Sequence, residues 1–326
     1  MPQLRHINID ILKGIGIILV ILGHVHKGGV YGWIYSFHMP LFFILSGLFF
    51  KPSNELFFIK FKRIIIPYLF FAVSIYLYWR FFEVKYRHDT GGININTHCL
   101  DIFWQQSTFC FDAPLWFLPC LFLIFIVSNI FFSFCNNKVL AFFMTIFFFF
   151  VINNIFVDYS CFWFKEAMFA FPFFIIGYFA SSFLSRYDSL VDRFSLWLKC
   201  LFLSLLGIVF FIPNGGDMMS SAYPNGYWYY FVVAIISIIC LYISCGIFTN
   251  QKWLVWLGKN SLILMCLHMP LVNIIKNLLS LITHFDNDYI MHSLPLGIVM
   301  TMLIILILVP VCIFINKKMP WVLGKF

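Results

Sequence analysis

Along the 326-residue chain, long runs of apolar residues alternate with short polar breaks, and the breaks carry most of the charge. Crossing a ~30 Å hydrocarbon core takes about 20 helical residues. Ten runs approach that length: residues 9–26, 34–50, 64–82, 115–134, 139–157, 167–184, 196–213, 227–248, 261–282 and 294–315. They are continuous and lack the residue-by-residue alternation of membrane-spanning strands, so they predict helices and not a barrel. The first run differs from a signal peptide, because Asp10 and Lys13 interrupt its start and no small-residue cleavage site follows His26. The pattern predicts an all-α, polytopic integral membrane protein with about ten transmembrane helices. It also predicts a single membrane-embedded domain over residues 1–326, with no soluble domain attached and no 20–50-residue repeat.

Composition narrows this further. Hydrophobic residues make up 62% of the chain and charged residues 10%, against roughly half and about a quarter in soluble domains. Disordered, collagen-like and disulfide-scaffold classes are excluded. The net charge of +8 is spread in small clusters between apolar runs, which is a topology signal and not a nucleic-acid surface. With the N-terminus inside, 15 of the 21 lysines and arginines fall on the cytoplasmic side and 6 outside, so both termini are expected in the cytoplasm. The longest loop, 83–114, then faces outward, as does 214–225, which is rich in turn-forming Gly, Pro and Asn. Seven of the ten cysteines lie in or beside apolar runs as small hydrophobes. Cys99 and Cys110 share the long loop and are placed to pair if it is extracytoplasmic. No CxxC or Cys/His spacing points to a metal.

Ionisable residues inside spans cost a few kcal/mol each, so every one is a candidate for function. The first span carries Asp10, Lys13, His24 and His26. Lys13 and His24 are eleven residues apart, which returns them to within about 20° of one azimuth, roughly 16 Å apart along the axis. Asp10 lies one turn before Lys13, and Gly16 and Gly23 allow close approach on that side. An interfacial Asp10–Lys13 ion pair with His24 near the outer headgroups accounts for the same residues, and the spacing leaves both readings open. His26 points elsewhere and is expected to wet the interface. His38 opens the second span close to His24 in sequence and pairs with it as a candidate acid/base couple. Lys60, Lys62 and Arg63 precede the third span as positive-inside anchors or as a phosphate clamp, with Lys60 and Arg63 on one helical face at i and i+3. Trp116 opens the fourth span, where it is either a belt residue or part of a site. Ser261 and His268, seven residues apart, share a face of a later span.

Taken together, these pieces resemble the acyltransferase 3 family of membrane-bound acyltransferases, whose O-acetylating members act on bacterial cell-surface sugars. The matching elements are Asp10-Ile11-Leu12-Lys13-Gly14 with Gly23-His24, and Phe37-His38-Met39-Pro40-Leu41-Phe42-Phe43 with Ser46-Gly47. Next come Lys60 to Arg63 with Pro67-Tyr68, then Leu115-Trp116-Phe117-Leu118, and finally Asn260-Ser261-Leu262 with His268. Their order and the ten-span plan also agree. The resemblance implies that His24 is the essential catalytic residue, that a basic residue eleven positions earlier (Lys13) accompanies it, and that a basic pair, Lys60 and Arg63, precedes the third span. The family pattern usually has Arg at the positions of Lys13 and Lys60; Lys keeps the charge and loses the bidentate fork.

The activity so implied is transfer of an acyl group, foremost acetyl, from cytoplasmic acyl-CoA (acetyl-CoA) to a hydroxyl of a cell-surface glycan or its lipid-linked precursor. The setting is the bacterial cytoplasmic membrane, with the lipid bilayer as the other partner and no nucleic acid; a homo-oligomer is compatible with it. Lys13, Lys60, Lys62 and Arg63 would bind acyl-CoA, His24 and His38 would act on the hydroxyl, and Asp10, Trp116, Ser261 and His268 would shape the site. Direct transfer and an acyl-enzyme relay both remain open. The rival readings are a lipid-linked sugar transporter or flippase, against which no inverted repeat appears, and a surface-polysaccharide polymerase, against which the long outer loop carries only Lys85 and Arg87.

Overall fold

The protein is described here by a computed structural model covering residues 7–83, 113–135, 137–155, 163–212, 216–249 and 251–325. Cys99, Cys110, Lys85 and Arg87 lie outside the described residues. Among those described, the regular elements are helices: α1 (Ile7–Val25), α2 (Val30–Tyr35), α3 (His38–Leu48), α4 (Leu56–Lys60), α5 (Ile66–Tyr78), α6 (Phe117–Phe134), α7 (Lys138–Ile155), α8 (Phe164–Ala180), α9 (Leu184–Arg193), α10 (Leu196–Val209), α11 (Tyr227–Cys245), α12 (Lys252–Lys259), α13 (Ser261–Thr283), α14 (Asn287–His292) and α15 (Leu294–Lys318). An isolated antiparallel bridge joins Asp217 to Ala222.

Among the described residues, seven helices are long and apolar enough to cross a membrane. They correspond to seven of the ten expected runs, and the other three differ in instructive ways. Residues 34–50 do not form one helix: α2 ends at Tyr35, and Phe37, with φ −144°, breaks the chain before α3 begins at His38. Pro40 suits that restart, because a helix tolerates proline in its first turn, where the missing N–H has no partner to lose. Residues 64–82 are helical, with π-helical turns at Phe61–Ile65 and Trp79–Glu83 on either side of α5. Pro67 explains the first, because it cannot bond the carbonyl of Arg63 four residues back and its ring crowds that carbonyl, so the preceding turn widens. The third, α10, is a 14-residue apolar helix.

Inside these helices hydroxyl side chains bond the carbonyl four residues back, as Thr145, Ser237 and Thr301 do at 2.7–2.8 Å, which satisfies them without water. The starts of α10 and α14 carry a side-chain cap. Ser195 accepts from the N–H of Leu198, and Asp286 from that of Tyr289.

The chain divides into two compact units. The first comprises Met1–Phe50, Pro172–Met265 and Ile274–Ile305. Here α1 lies backbone to backbone on α12: a Cβ at Gly14 would strike the carbonyl of Leu254, and one at Gly258 the carbonyl of Asp10. Buried Ile11, Cys245 and Leu254 form the core at this crossing. The C-terminal half of α8 meets α3 the same way, through Gly177 on Ile44 and Gly47 on Phe174. Such close approach is how helices associate in lipid, where apolar burial gives no advantage over the acyl chains.

The second unit comprises Lys51–Phe171, Cys266–Asn273 and Leu306–Phe326. Ser53 and Asn129 clasp each other through two hydrogen bonds of 2.9 and 3.0 Å. Phe171 packs on Phe142 and Phe149 at 6.0 and 5.8 Å. α7 leaves Phe143, Phe147 and Phe150 exposed, the face expected toward lipid. Gly324, at φ +66°, sits on the carbonyl of Lys62 and so rests the C-terminal turn on the π-helical turn.

Candidate active site

In the first unit the expected histidines meet around a residue that the sequence pattern does not single out. His24 occupies the last turn of α1 and is half-buried. Its Nδ1 lies 3.5 Å from the hydroxyl of Tyr35, with the two rings edge to face at 6.0 Å. Gly23 makes room for this approach, because a Cβ there would sit 3.2 Å from the Tyr35 ring. His38, only 3% exposed, packs against the other side of the motif with its ring 4.7 Å from Tyr35. Its Nδ1 is 2.9 Å from the carbonyl of Ile34. A carbonyl only accepts, so that nitrogen carries the proton and Nε2 of the neutral ring is the acceptor.

Further aromatic residues hold Tyr35. Tyr31 stacks on it at 4.0 Å, and Tyr230 donates to its backbone carbonyl at 3.3 Å. Trp33 anchors α2 to α10 by donating to the carbonyl of Leu206 at 3.1 Å. The carboxylate of Asp217 acts electrostatically on Tyr31, Tyr35, His38 and Tyr230. Burial raises the Tyr31 hydroxyl above its ordinary range, and Asp217 pushes it the same way, so it stays protonated at neutral pH. His26, expected at the interface, is instead 2% exposed, tucked under Gly28 and Gly297.

At the other end of α1, the ammonium of Lys13 lies 5.3 Å from the centre of the Phe49 ring and feels the charge of Asp10. Ser261, at the start of α13, is half-buried in this unit. Asn8 reaches Asp188 and Asp192 of α9 at 3.4 and 3.5 Å, and Tyr242 donates to Asp188 at 2.7 Å.

In the second unit, the ammonium of Lys60 sits 3.4 Å from the centre of the buried Phe125 ring. Burial, followed by the nearby Arg63 guanidinium, holds Lys60 down to about 8. A π-helical turn follows Lys60 from Phe61 to Ile65, and the Arg63 guanidinium within it still acts on the Lys60 ammonium. Lys62 and Arg63 are exposed. Trp116 is buried against Trp163 at 6.1 Å and so does not serve as a lipid-facing belt residue. His268 is fully buried in this unit. Glu166, also buried, lies in the first turn of α8, one residue ahead of the expected span boundary, which hid it from the sequence reading. Among the described residues, no group of three or more His, Cys, Asp or Glu is arranged to hold a metal ion.

A family model described as an acyltransferase domain, acyltransferase 3, matches residues 6–316. The chain belongs to the acyltransferase 3 family. No curated protein and no solved structure matches it. The match spans almost the whole chain, so the acyl-transfer machinery of this acyltransferase 3 protein is built from its membrane helices and their connections. Family and fold together make it a multi-pass membrane enzyme that transfers acyl groups. Acyl transfer is the chemistry of that family.

Proposed function

We propose that this acyltransferase moves an acetyl group from cytoplasmic acetyl-CoA to a hydroxyl of a cell-surface polysaccharide or its lipid-linked precursor, in the bacterial cytoplasmic membrane. The observation that carries the proposal is the His24 imidazole at the end of α1, half-buried and held by Tyr35, in a chain of the acyltransferase 3 family. A ten-span topology with both termini inside, supported by the 15-to-6 distribution of basic residues, separates a cytoplasmic donor side from an outer acceptor side.

In the proposed reaction Nε2 of His24 takes the proton of the sugar hydroxyl as its oxygen attacks the thioester carbonyl. The C–S bond breaks as the C–O bond forms, and the CoA thiolate leaves and collects the proton from His24. Lys60, Lys62 and Arg63 bind the donor's phosphates. His38, its Nδ1 proton committed to Ile34, shapes the acceptor side. Asp10 and Ser261, in the same unit as His24, support the site.

His24→Ala, expressed in place of the wild-type protein, is expected to abolish O-acetyl signals in surface polysaccharide while the protein stays in the membrane at normal level. Full O-acetylation by that variant would refute the assignment.

A further inference from the structure

We propose that Asp217, Tyr31 and Tyr35 form a directed chain that orients His24 and leaves its Nε2 as the proton acceptor. The inference rests on His24 being the base, and it adds three positioning residues to that reading.

The chain begins at a carboxylate in a fixed place. Asp217 is pinned by its bridge to Ala222, with hydrogen bonds of 2.8 and 3.0 Å. Its side chain accepts from the N–H of Met219 at 3.0 Å and from the hydroxyl of Ser220 at 2.8 Å. Gly216, just before it, sits on the ring of Tyr230, where a Cβ would not fit, and Tyr230 in turn bonds the backbone of Tyr35. The loop is therefore registered on the same residue that touches His24.

Polarity then propagates from the carboxylate. An ionised carboxylate accepts and never donates, so a hydroxyl in its field turns its proton toward it. Tyr31 lies within that field. Its oxygen is then free to accept from Tyr35, to which it is stacked at 4.0 Å and hydrogen-bonded. The Tyr35 oxygen in turn accepts from Nδ1–H of His24 across the long 3.5 Å contact. Such contacts commonly tighten once substrate is bound.

With its proton on Nδ1, neutral His24 presents an Nε2 lone pair. Were the chain reversed, Nδ1 would accept and Nε2 would carry the proton, and the ring would be in the wrong form to act as a base.

The test uses the full-length protein in detergent micelles, labelled with ¹⁵N-histidine, with His24→Gln to assign the His24 signals. Wild-type His24 is expected to show an unprotonated Nε2 in the neutral ring. Tyr35→Phe, which keeps the ring and removes the hydroxyl, is expected to give mixed tautomers. With acetyl-CoA as donor and polysaccharide from a strain lacking the gene as acceptor, Tyr35→Phe lowers kcat about 10²-fold and leaves KM for acetyl-CoA within about twofold. Asp217→Asn produces the same shift of smaller size, and Asp217→Glu recovers part of it. A wild-type His24 protonated on Nε2, or a Tyr35→Phe protein with unchanged tautomer and kcat, would overturn the chain. An active His24→Ala protein would overturn the underlying base assignment instead, so the two failures are told apart.

Discussion

The surroundings of His24 and those of Lys60 handle polar groups amid apolar helices in opposite ways. Around His24 the polar groups are satisfied by hydroxyls and carbonyls: Tyr35 for His24, Ile34 for His38, with a carboxylate placed at the edge. Around Lys60 a cation is kept, partly desolvated, and is compensated by the face of Phe125. A hydrogen-bonded network fixes proton positions, which suits proton transfer. A partly desolvated cation with its hydration stripped is ready to meet an anion, which suits binding. The contrast divides the expected phenotypes into those that change turnover and those that change donor affinity.

Breaking the hydrogen-bonded side has the largest effect. His24→Ala should lose all O-acetylation, and a residual rate near wild type would erase the contrast altogether. The Tyr35→Phe protein comes next, with its loss in kcat and not in KM. On the cationic side the order reverses. Replacing Lys60 and Arg63 together by Gln should raise KM for acetyl-CoA by roughly 100-fold or more, since each charge-assisted phosphate contact is worth about 1.5–3 kcal/mol, with kcat at saturating donor little changed. Equal losses in kcat and KM would merge the two regions into one.

A finer prediction uses pH. Lys60, held down to about 8, is charged at pH 7 and loses its proton as pH rises through that value, so KM for the donor should climb between pH 7 and 9. Lys60→Arg, whose guanidinium stays charged, should flatten the climb. A climb that persists in Lys60→Arg would assign it to another group. The smallest effect is on stability. Lys60→Met removes a partly desolvated charge while keeping the stem's packing, so the melting temperature should stay level or rise slightly even as donor affinity falls.

Much of the fold was legible because lipid demands uninterrupted apolar helix, and seven runs were read with boundaries close to those observed. Where reading stopped short, local backbone chemistry decided. Pro67 and Pro40 were visible as residues, but that one widens a helix into a π turn and the other restarts one after Phe37 depends on packing beyond the apolar pattern. The site was half legible. His24 and His38 stand out because an imidazole in a span is costly. Tyr35 does not, because tyrosine near a membrane interface is ordinary, although its place three residues before His38 was a usable signal. Asp217 lies in a turn-rich loop 182 residues along from Tyr35, and nothing local connects them. Glu166 was lost to a boundary drawn one residue late.

The glycine crossing of α1 on α12 makes α1 a ruler. With the backbone at Gly14 seated directly on Leu254, α1 has no side-chain cushion there on which to turn or slide. The ten residues from Gly14 to His24 therefore set both the height of the imidazole, about 15 Å away, and its compass direction. One alanine inserted between them would swing His24 by about 100° away from Tyr35, whereas seven would return it to the same heading about 10 Å further along. In this enzyme the length of an apolar stretch, most of whose residues other than its glycines are exchangeable for another hydrophobe, itself fixes where the imidazole stands.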